Sequence, residues 1–289
     1  MTRTQGILGA LAVVMGVAGC ASSAPAPTPA PKPKVSSVAE DPAITKLRTV
    51  VNGYHRAPER KARDVYRHPV ETLTFFGIKP NMTVVELWPF GGWYTEILAP
   101  YLKDSGRLYL AAMDPQSTRE SDKKYNADLK ALLDARPDLY SEVRWSVLAK
   151  DKYEVAPPGS ADLVLTFRNI HNWAWSGMDK EVFLAAHRAL KPGAVLGVVE
   201  HRHPDPSFQP KDRGAGLGYV GEDFAIAMIE SVGFRLVGKS DVNNNPKDTK
   251  DYPKGVWTLP PNYAAGDVDR EKYAAIGESD RFTLKFVKK

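Results

Sequence analysis

Apolar runs alternate with amphipathic segments along most of the chain. The apolar runs, which predict strands, cover residues 83–87, 107–113, 143–148, 161–167, 194–200 and 234–238. The segments with helical spacing cover residues 94–102, 123–133, 180–190 and 223–232. Near-continuous apolar runs are typical of strands buried on both faces, and alternation of strand and helix predicts parallel pairing with right-handed crossovers.

The two ends of this pattern differ from its middle. Residues 45–77 interleave charged and apolar positions, which predicts helices over the entrance to the sheet. Residues 281–287 alternate and predict a last strand, antiparallel at the sheet edge. The predicted fold is therefore α/β and Rossmann-like: a doubly wound, mostly parallel seven-stranded sheet with an antiparallel C-terminal edge strand. Residues 241–279, rich in Asn, Pro, Asp and Tyr, either cross the active face as a lid or form a surface loop.

The turn after the first predicted strand carries the strongest functional signal. Glu86 closes the strand, and Trp88-Pro89-Phe90-Gly91-Gly92 leads into a helix. This segment resembles motif I of the class I S-adenosylmethionine-dependent methyltransferases, with Glu86 at its acidic position and Gly92 at its last glycine. Within that superfamily it is most similar to a group of exported bacterial methyltransferases with a Trp-Pro-x-Gly-Gly-Trp-Tyr-Thr loop. The resemblance implies S-adenosylmethionine as cofactor, with Glu86, Trp88, Gly91 and Gly92 among the residues that bind it.

The loop departs from the motif at two positions, since Trp88 and Phe90 stand where glycine is usual. Because Pro89 favours an extended residue before it, we expect a differently shaped turn, with the permissive conformations supplied by Gly91 and Gly92. The aromatic cluster of Trp88, Trp93 and Tyr94 either faces the cofactor sulfonium through cation–π contact or packs in the core.

Two further acidic residues are candidates for cofactor binding. Asp114 follows the second predicted strand, about 20 residues beyond the loop, where a carboxylate accepts the ribose hydroxyls. Asp114 also suits the N-cap of a helix, because Asp-Pro-Gln-Ser is a typical helix start. Asp151, after the third predicted strand, is the candidate for the adenine edge.

The loop at residues 168–173 follows the fourth predicted strand and opens toward the same edge of the sheet. It contains Asn169 and His171, which we predict to be catalytic: His171 as a general base, and Asn169 orienting the cofactor or the nucleophile. The alternative for His171 is a hydrogen bond that caps a neighbouring carbonyl.

A second polar cluster, Glu200-His201-Arg202-His203, ends the fifth predicted strand. His201 and His203 share one face of an extended chain, but a metal site needs a third ligand, and no partnering Cys or Asp-x-Asp pattern is present. We therefore predict no metal site and regard this cluster as a possible second base facing the substrate.

The first residues resemble a bacterial lipoprotein signal. Arg3 precedes an apolar run at residues 7–17, too short for the roughly 20 residues of a transmembrane helix, and Val17-Ala18-Gly19-Cys20 matches a lipobox. Cys20, the only cysteine, would be lipidated. The alternative is an ordinary secretory signal with an incidental cysteine.

These signals predict three segments: a signal peptide at residues 1–19, an Ala/Pro-rich tether at 20–44 and a methyltransferase-like domain at 45–289. The expected location is the cell envelope through a lipid anchor. In Gram-negative lipoproteins, Ala rather than Asp after the lipidated cysteine favours the outer membrane. The net charge of +5 is scattered among acidic residues and gives little support to a nucleic-acid partner.

The sequence thus predicts an S-adenosylmethionine-dependent methyltransferase that acts on a small-molecule acceptor. The alternative is a non-catalytic ligand-binding or scaffold module that retains the fold. Two observations favour the alternative: the altered loop, and the difficulty of supplying S-adenosylmethionine outside the cytoplasm. A hydrolase is not favoured, since the sequence has no Gly-x-Ser-x-Gly elbow.

Overall fold

A seven-stranded sheet organises the computed structural model, which describes residues 15–16, 40–210 and 215–289. The strands are β1 (Thr83–Leu87), β2 (Arg107–Ala112), β3 (Arg144–Val147), β4 (Ala161–Phe167), β5 (Leu190–His201), β6 (Phe234–Ser240) and β7 (Arg281–Lys288). Their order across the sheet is β3-β2-β1-β4-β5-β7-β6, and β1 to β5 are parallel. The predicted α/β fold with a mostly parallel sheet is confirmed.

β7 is the antiparallel strand of this sheet. It pairs with β5 on one side and with β6 on the other, so it lies one place in from the edge, and β6 is the edge strand. The sequence predicted the antiparallel direction of this strand, but the sheet order depends on pairing between distant segments, which a local pattern does not show.

Helices cover both faces of the sheet. Before β2 they are α1 (Pro42–Val51), α2 (Pro58–Lys61), α3 (Asp64–Arg67), α4 (Pro69–Phe76) and α5 (Thr95–Leu102). The later ones are α6 (Glu120–Asp134), α7 (Pro137–Tyr140), α8 (Ile170–Trp175), α9 (Asp179–Ala189), α10 (Glu222–Ser231) and α11 (Arg270–Ile276). Residues 168–173 were expected to be a loop, and most of them form α8 instead. None of the helices in the described part of the chain is long and apolar enough to cross a membrane.

The folded part begins slightly earlier than the predicted boundary at residue 45. Residues 40–289 form a compact unit, and α1 starts at Pro42, with the Asp41 carboxylate accepting a hydrogen bond of 2.8 Å from the Ala43 amide. Cys20 and most of the predicted signal peptide and tether lie outside the described residues.

The core has two layers, one on each side of the sheet. On one side, Val85 and Leu87 of β1 pack with α8, α9 and α10. On the other side, Val84 packs with α1, α4 and α5. β1 is therefore buried on both faces, which explains why its residues are mostly apolar. The strand order reverses between β1 and β4, and in open α/β sheets ligands bind beyond the carboxyl ends of the strands at such a point.

Candidate functional site

A cavity of about 750 Å³ opens at the carboxyl ends of β1, β4 and β5. Its walls come from the β1–α5 loop, α3, the residue after β4, the start of β7 and the segment that contains Trp257. This volume is within the usual range of small-molecule sites. The predicted excursion at residues 241–279 does cross this face, since Val256, Trp257 and the Pro260-Pro261-Asn262 run line the cavity.

The β1–α5 loop keeps a glycine-type backbone at positions occupied by aromatic residues. Trp88 has a φ of 45°, Phe90 of 49° and Gly92 of 73°, all in the left-handed region. The expectation of an extended Trp88, with Gly91 and Gly92 supplying the permissive conformations, was wrong for Trp88 and for Gly91. Two hydrogen bonds hold Trp88 in place: its amide donates to the Ala111 carbonyl at 2.9 Å, and its indole N–H donates to the Leu148 carbonyl at 2.7 Å. These bonds offset the strain of a non-glycine residue at positive φ.

The two loop glycines have different roles. A Cβ at Gly92 would lie 2.5 Å from Leu132 and 3.0 Å from Leu129, so this glycine allows α6 to pack against the loop. A Cβ at Gly91 would meet nothing within 4 Å, and Gly91 lines the cavity. Of the two glycines, Gly91 is therefore the one where a side chain would obstruct a ligand.

The Trp88 indole covers the sheet edge between β1 and β3. Its ring centroid lies 5.6 Å from that of Trp173 and 6.1 Å from that of Phe90, both edge-on. Phe90 in turn contacts Tyr125 at 4.7 Å. These contacts favour packing as the role of Trp88.

The predicted ribose and adenine ligands lie away from the cavity. Neither Asp114 nor Asp151 is among the residues that line it. The Asp114 carboxylate pairs with Lys152 at 2.7 Å and caps the Gln116 amide at 3.0 Å, and the hydrogen bond from Lys152 lowers its pKa. Asp151 is exposed, and its backbone φ is 63°. The roles of both residues in cofactor binding stay predictions. For Asp114, ribose binding requires that the carboxylate release Lys152.

Glu86 lies at the floor of the cavity, almost completely buried, and accepts a hydrogen bond of 2.7 Å from the Thr95 hydroxyl. Burial raises its pKa to about 7, against smaller opposing effects of the Thr95 hydrogen bond and the positive charge of Arg168. A carboxyl group with a pKa near neutrality is suited to general acid–base catalysis.

The Glu86 pKa predicts a pH-dependent stability that Glu86→Gln should remove. Between the ordinary pKa of 4.5 and about 7, the folded state binds a proton that the unfolded state releases, so the free energy of unfolding falls as pH rises. The variant minus wild-type difference should therefore increase by about 2–3 kcal/mol between pH 5 and pH 8. Urea unfolding at several pH values measures it, with the exposed Glu71→Gln as control. A difference that does not change with pH would show that Glu86 is ionised throughout.

The predicted catalytic pair lies behind the cavity wall. The Asn169 amide donates to the Leu87 carbonyl at 2.9 Å, so it joins the end of β4 to the end of β1. His171 is buried, with Nδ1 3.1 Å from a carboxylate oxygen of Glu200, and neither residue lines the cavity. Their catalytic roles stay predictions. His201, whose ring centroid is 5.5 Å from that of His171, is the histidine on the wall.

His171, Glu200 and His201 form a compact group in which one ligand atom from each lies within 4.8 Å of the others. Its surroundings do not favour a cation. The Glu200 carboxylate already accepts hydrogen bonds from the Ile170 and His201 amides, at 2.6 and 2.8 Å. Burial, followed by His171 and nearby guanidiniums, lowers the pKa of His201 well below its usual value. The guanidiniums that add to this effect would also repel a metal ion.

The inner wall carries an arginine cluster that sequence reasoning missed, formed by Arg63, Arg67, Arg168 and Arg281 around Glu278. The Glu278 carboxylate pairs with Arg63 at 2.6 Å, Arg67 at 3.0 Å and Arg281 at 2.6 Å. Although burial alone would raise it, these guanidiniums hold the pKa of Glu278 well below its usual range. The arginines are more than 100 residues apart in places, so only the position of Arg168 directly after a buried strand was a local signal.

Comparisons with known proteins agree on the fold. No protein-family model matches the sequence, and no curated protein matches it. Among solved structures, a SAM-dependent methyltransferase from Aquifex aeolicus matches with a TM-score of 0.53 and 15% identity, over 85% of this chain and 98% of its own. The [4+2]-cyclase SpnF matches with a TM-score of 0.54 and 17% identity, over 85% of this chain and 92% of its own. At these identities the likeness shows the fold alone: the chain has the Rossmann-like fold of the class I S-adenosylmethionine-dependent methyltransferases.

Proposed function

We propose that this protein is an S-adenosylmethionine-dependent methyltransferase that acts on a small molecule. The observation that carries the proposal is the β1–α5 loop, in which Trp88, Phe90 and Gly92 all have positive φ. A chain that holds two aromatic residues in a glycine-type conformation stores strain at this turn, and such strain is concentrated at functional sites. The loop lies beside a cavity of a size suited to a cofactor or substrate.

The residues present fit one part of the cofactor better than the other. Phe90 and Gly91 border the cavity close before α5, where the amino-acid end of S-adenosylmethionine would lie against a helix start. At the other end, the Trp88 indole is bonded to the end of β3, and Asp114 is paired with Lys152. The adenosine part therefore requires the indole to move.

The cofactor, when bound, supplies an activated methyl group, so the protein mainly has to orient the acceptor and exclude water. Glu86 is the group on the cavity wall whose pKa, at about 7, suits removal of a proton from an acceptor. Phe90 and Trp257 add aromatic residues to the lining of the same cavity.

Gly91→Leu is expected to weaken binding of S-adenosylhomocysteine to the full chain by about tenfold or more, because the added side chain occupies the cavity at the loop. Stability should change little, since a Cβ there meets nothing within 4 Å. Isothermal titration with S-adenosylhomocysteine and S-adenosylmethionine measures the effect, with Ala131→Leu, at an exposed position of α6, as a control for a leucine added outside the cavity. Failure of the wild-type protein to bind either compound at millimolar concentration would contradict the proposal.

A second candidate is a ligand-binding module that does not transfer methyl groups. The position of the Trp88 indole, with its hydrogen bond to Leu148 at 2.7 Å, favours it. SpnF, described as a cyclase, has the same fold, so the fold by itself does not fix the reaction. Absence of binding in both the wild type and a variant without the indole would support this candidate.

The location of the protein is a further part of the proposal: Cys20 carries a lipid anchor that holds the domain at the cell envelope. Cys20→Ser should move the protein from the membrane to the soluble fraction, because the variant lacks the thiol that carries the membrane-binding acyl chains. The thermal unfolding midpoint should stay the same. Fractionation followed by immunoblotting measures this, and a variant that stays with the membranes would contradict lipidation at this residue.

A further inference from the structure

The arginine cluster (Arg63, Arg67, Arg168, Arg281) has more positive charge than its surroundings neutralise. Four guanidiniums approach one carboxylate, that of Glu278, which leaves three excess positive charges. Within the described part of the chain, the Arg168 guanidinium has no ion pair or hydrogen bond. Nη1 of the buried Arg67 also has no hydrogen-bond partner there. Unpaired charge in a buried position is costly unless a partner compensates it.

The arrangement of these donors indicates the partner. Arg67 comes from α3, Arg168 from the residue after β4 and Arg281 from the start of β7, and all line the cavity. Burial, then repulsion from Arg281, lowers the pKa of Arg168 to about 10, and both arginines line the same cavity. Glu278 already serves as a single carboxylate partner. The remaining donors, which come from different directions, suit an oxyanion with several oxygens and more than one charge.

We propose that this cluster binds the dianionic group of the small-molecule acceptor, and that the acceptor is a small organic phosphate. The identification of this ligand as the methyl acceptor rests on the proposed methyltransferase function. Anion binding by the cluster does not depend on it. Arg168 and Glu86 line the same cavity, so a phosphate ester held by Arg168 would place its organic part in the space that this carboxyl group borders. Apolar walls for the organic part come from Phe167 and Trp257.

Arg168→Gln separates a binding role from a structural one. Arg281 repels the Arg168 guanidinium, which has no ion-pair or hydrogen-bond partner among the described residues. Removing the charge of Arg168 should therefore raise the thermal unfolding midpoint in chloride buffer. The same change should weaken binding of inorganic phosphate and pyrophosphate by about tenfold or more. A structural arginine would give a lower midpoint instead.

The experiment is a titration of the full chain with phosphate and pyrophosphate at constant ionic strength, with chloride as the reference anion. Arg235→Gln, an exposed arginine on β6, controls for net charge and should bind like the wild type. Saturable phosphate binding that is lost in Arg168→Gln and kept in Arg235→Gln supports the proposal. Equal effects of phosphate and chloride on the wild type, or equal binding by the two variants, would overturn it.

Competition with S-adenosylhomocysteine distinguishes the acceptor from the cofactor. Phosphate binding that persists at saturating S-adenosylhomocysteine supports an acceptor site. Mutual displacement would overturn the proposal and assign the cluster to the cofactor carboxylate. If the protein binds no S-adenosylhomocysteine, the phosphate titration still tests the cluster, so failure of the methyltransferase proposal and failure of the anion proposal give different results.

Discussion

Replacing Glu278 with Gln is expected to destabilise the folded protein by about 3–5 kcal/mol. The Glu278 carboxylate is almost completely buried and forms ion pairs with Arg63, Arg67 and Arg281, with nitrogen–oxygen distances of 2.6 to 3.0 Å. Gln has nearly the same shape but no charge, so the variant leaves these guanidiniums without their shared counterion. Equilibrium unfolding in urea at pH 7 measures the loss.

Two controls make the result specific. Glu271→Gln changes an exposed carboxylate on α11 and should alter the free energy of unfolding by about 0.5 kcal/mol or less. The double variant Glu278→Gln with Arg281→Gln removes one of the stranded positive charges, and it should be less destabilised than the sum of its two single variants. Additive effects in that cycle would show that the destabilisation has another origin than uncompensated charge.

Trp88→Gly is expected to increase the affinity for S-adenosylhomocysteine by on the order of tenfold. In the wild type, a ligand that reaches the end of β3 has to displace the indole from its hydrogen bond with Leu148 and its contact with Trp173. Glycine removes this cost and also accepts the φ of 45° without strain. Isothermal titration measures the change.

Trp88→Phe is the matched control: it keeps an aromatic ring and the strained backbone but lacks the indole N–H, so it should gain less affinity than Trp88→Gly. Loss of binding in Trp88→Gly would reverse the interpretation. The indole would then be part of the cofactor site, as the cation–π alternative for Trp88 requires, and its packing against Trp173 would be a resting position.

The fold was predictable because its central strands are buried on both faces. β1 and β4 were predicted with their observed bounds, since each is a mostly apolar run between turn residues. α8 was missed because it is only six residues long and contains polar residues without a clear helical period. The insertion of β7 between β5 and β6 was missed because sheet order is set by contacts between distant segments.

The candidate site was less predictable, because a residue type and its position after a strand do not fix which way its side chain points. His171 and Asn169 follow β4 as expected, yet their hydrogen bonds to Glu200 and Leu87 direct them into the protein. His201, at the end of the next strand, β5, lines the cavity instead. The arginine cluster joins Arg63 and Arg67 to Glu278 over more than 200 residues of sequence, a separation that no local motif reports.

The position of β7 also determines the order in which the molecule can assemble. Among the described strands, β6 pairs only with β7. It can therefore join the sheet only after β7, which follows it in the chain, has paired with β5. Arg281 begins that same strand and Glu278 lies three residues before it, so together they bring one arginine and the counterion to the cavity. Closure of the outer sheet and completion of the binding wall are therefore one folding event. Until it occurs, the apolar edge of β5 is open to pairing with other chains, so slow docking of β7 would expose the protein to aggregation.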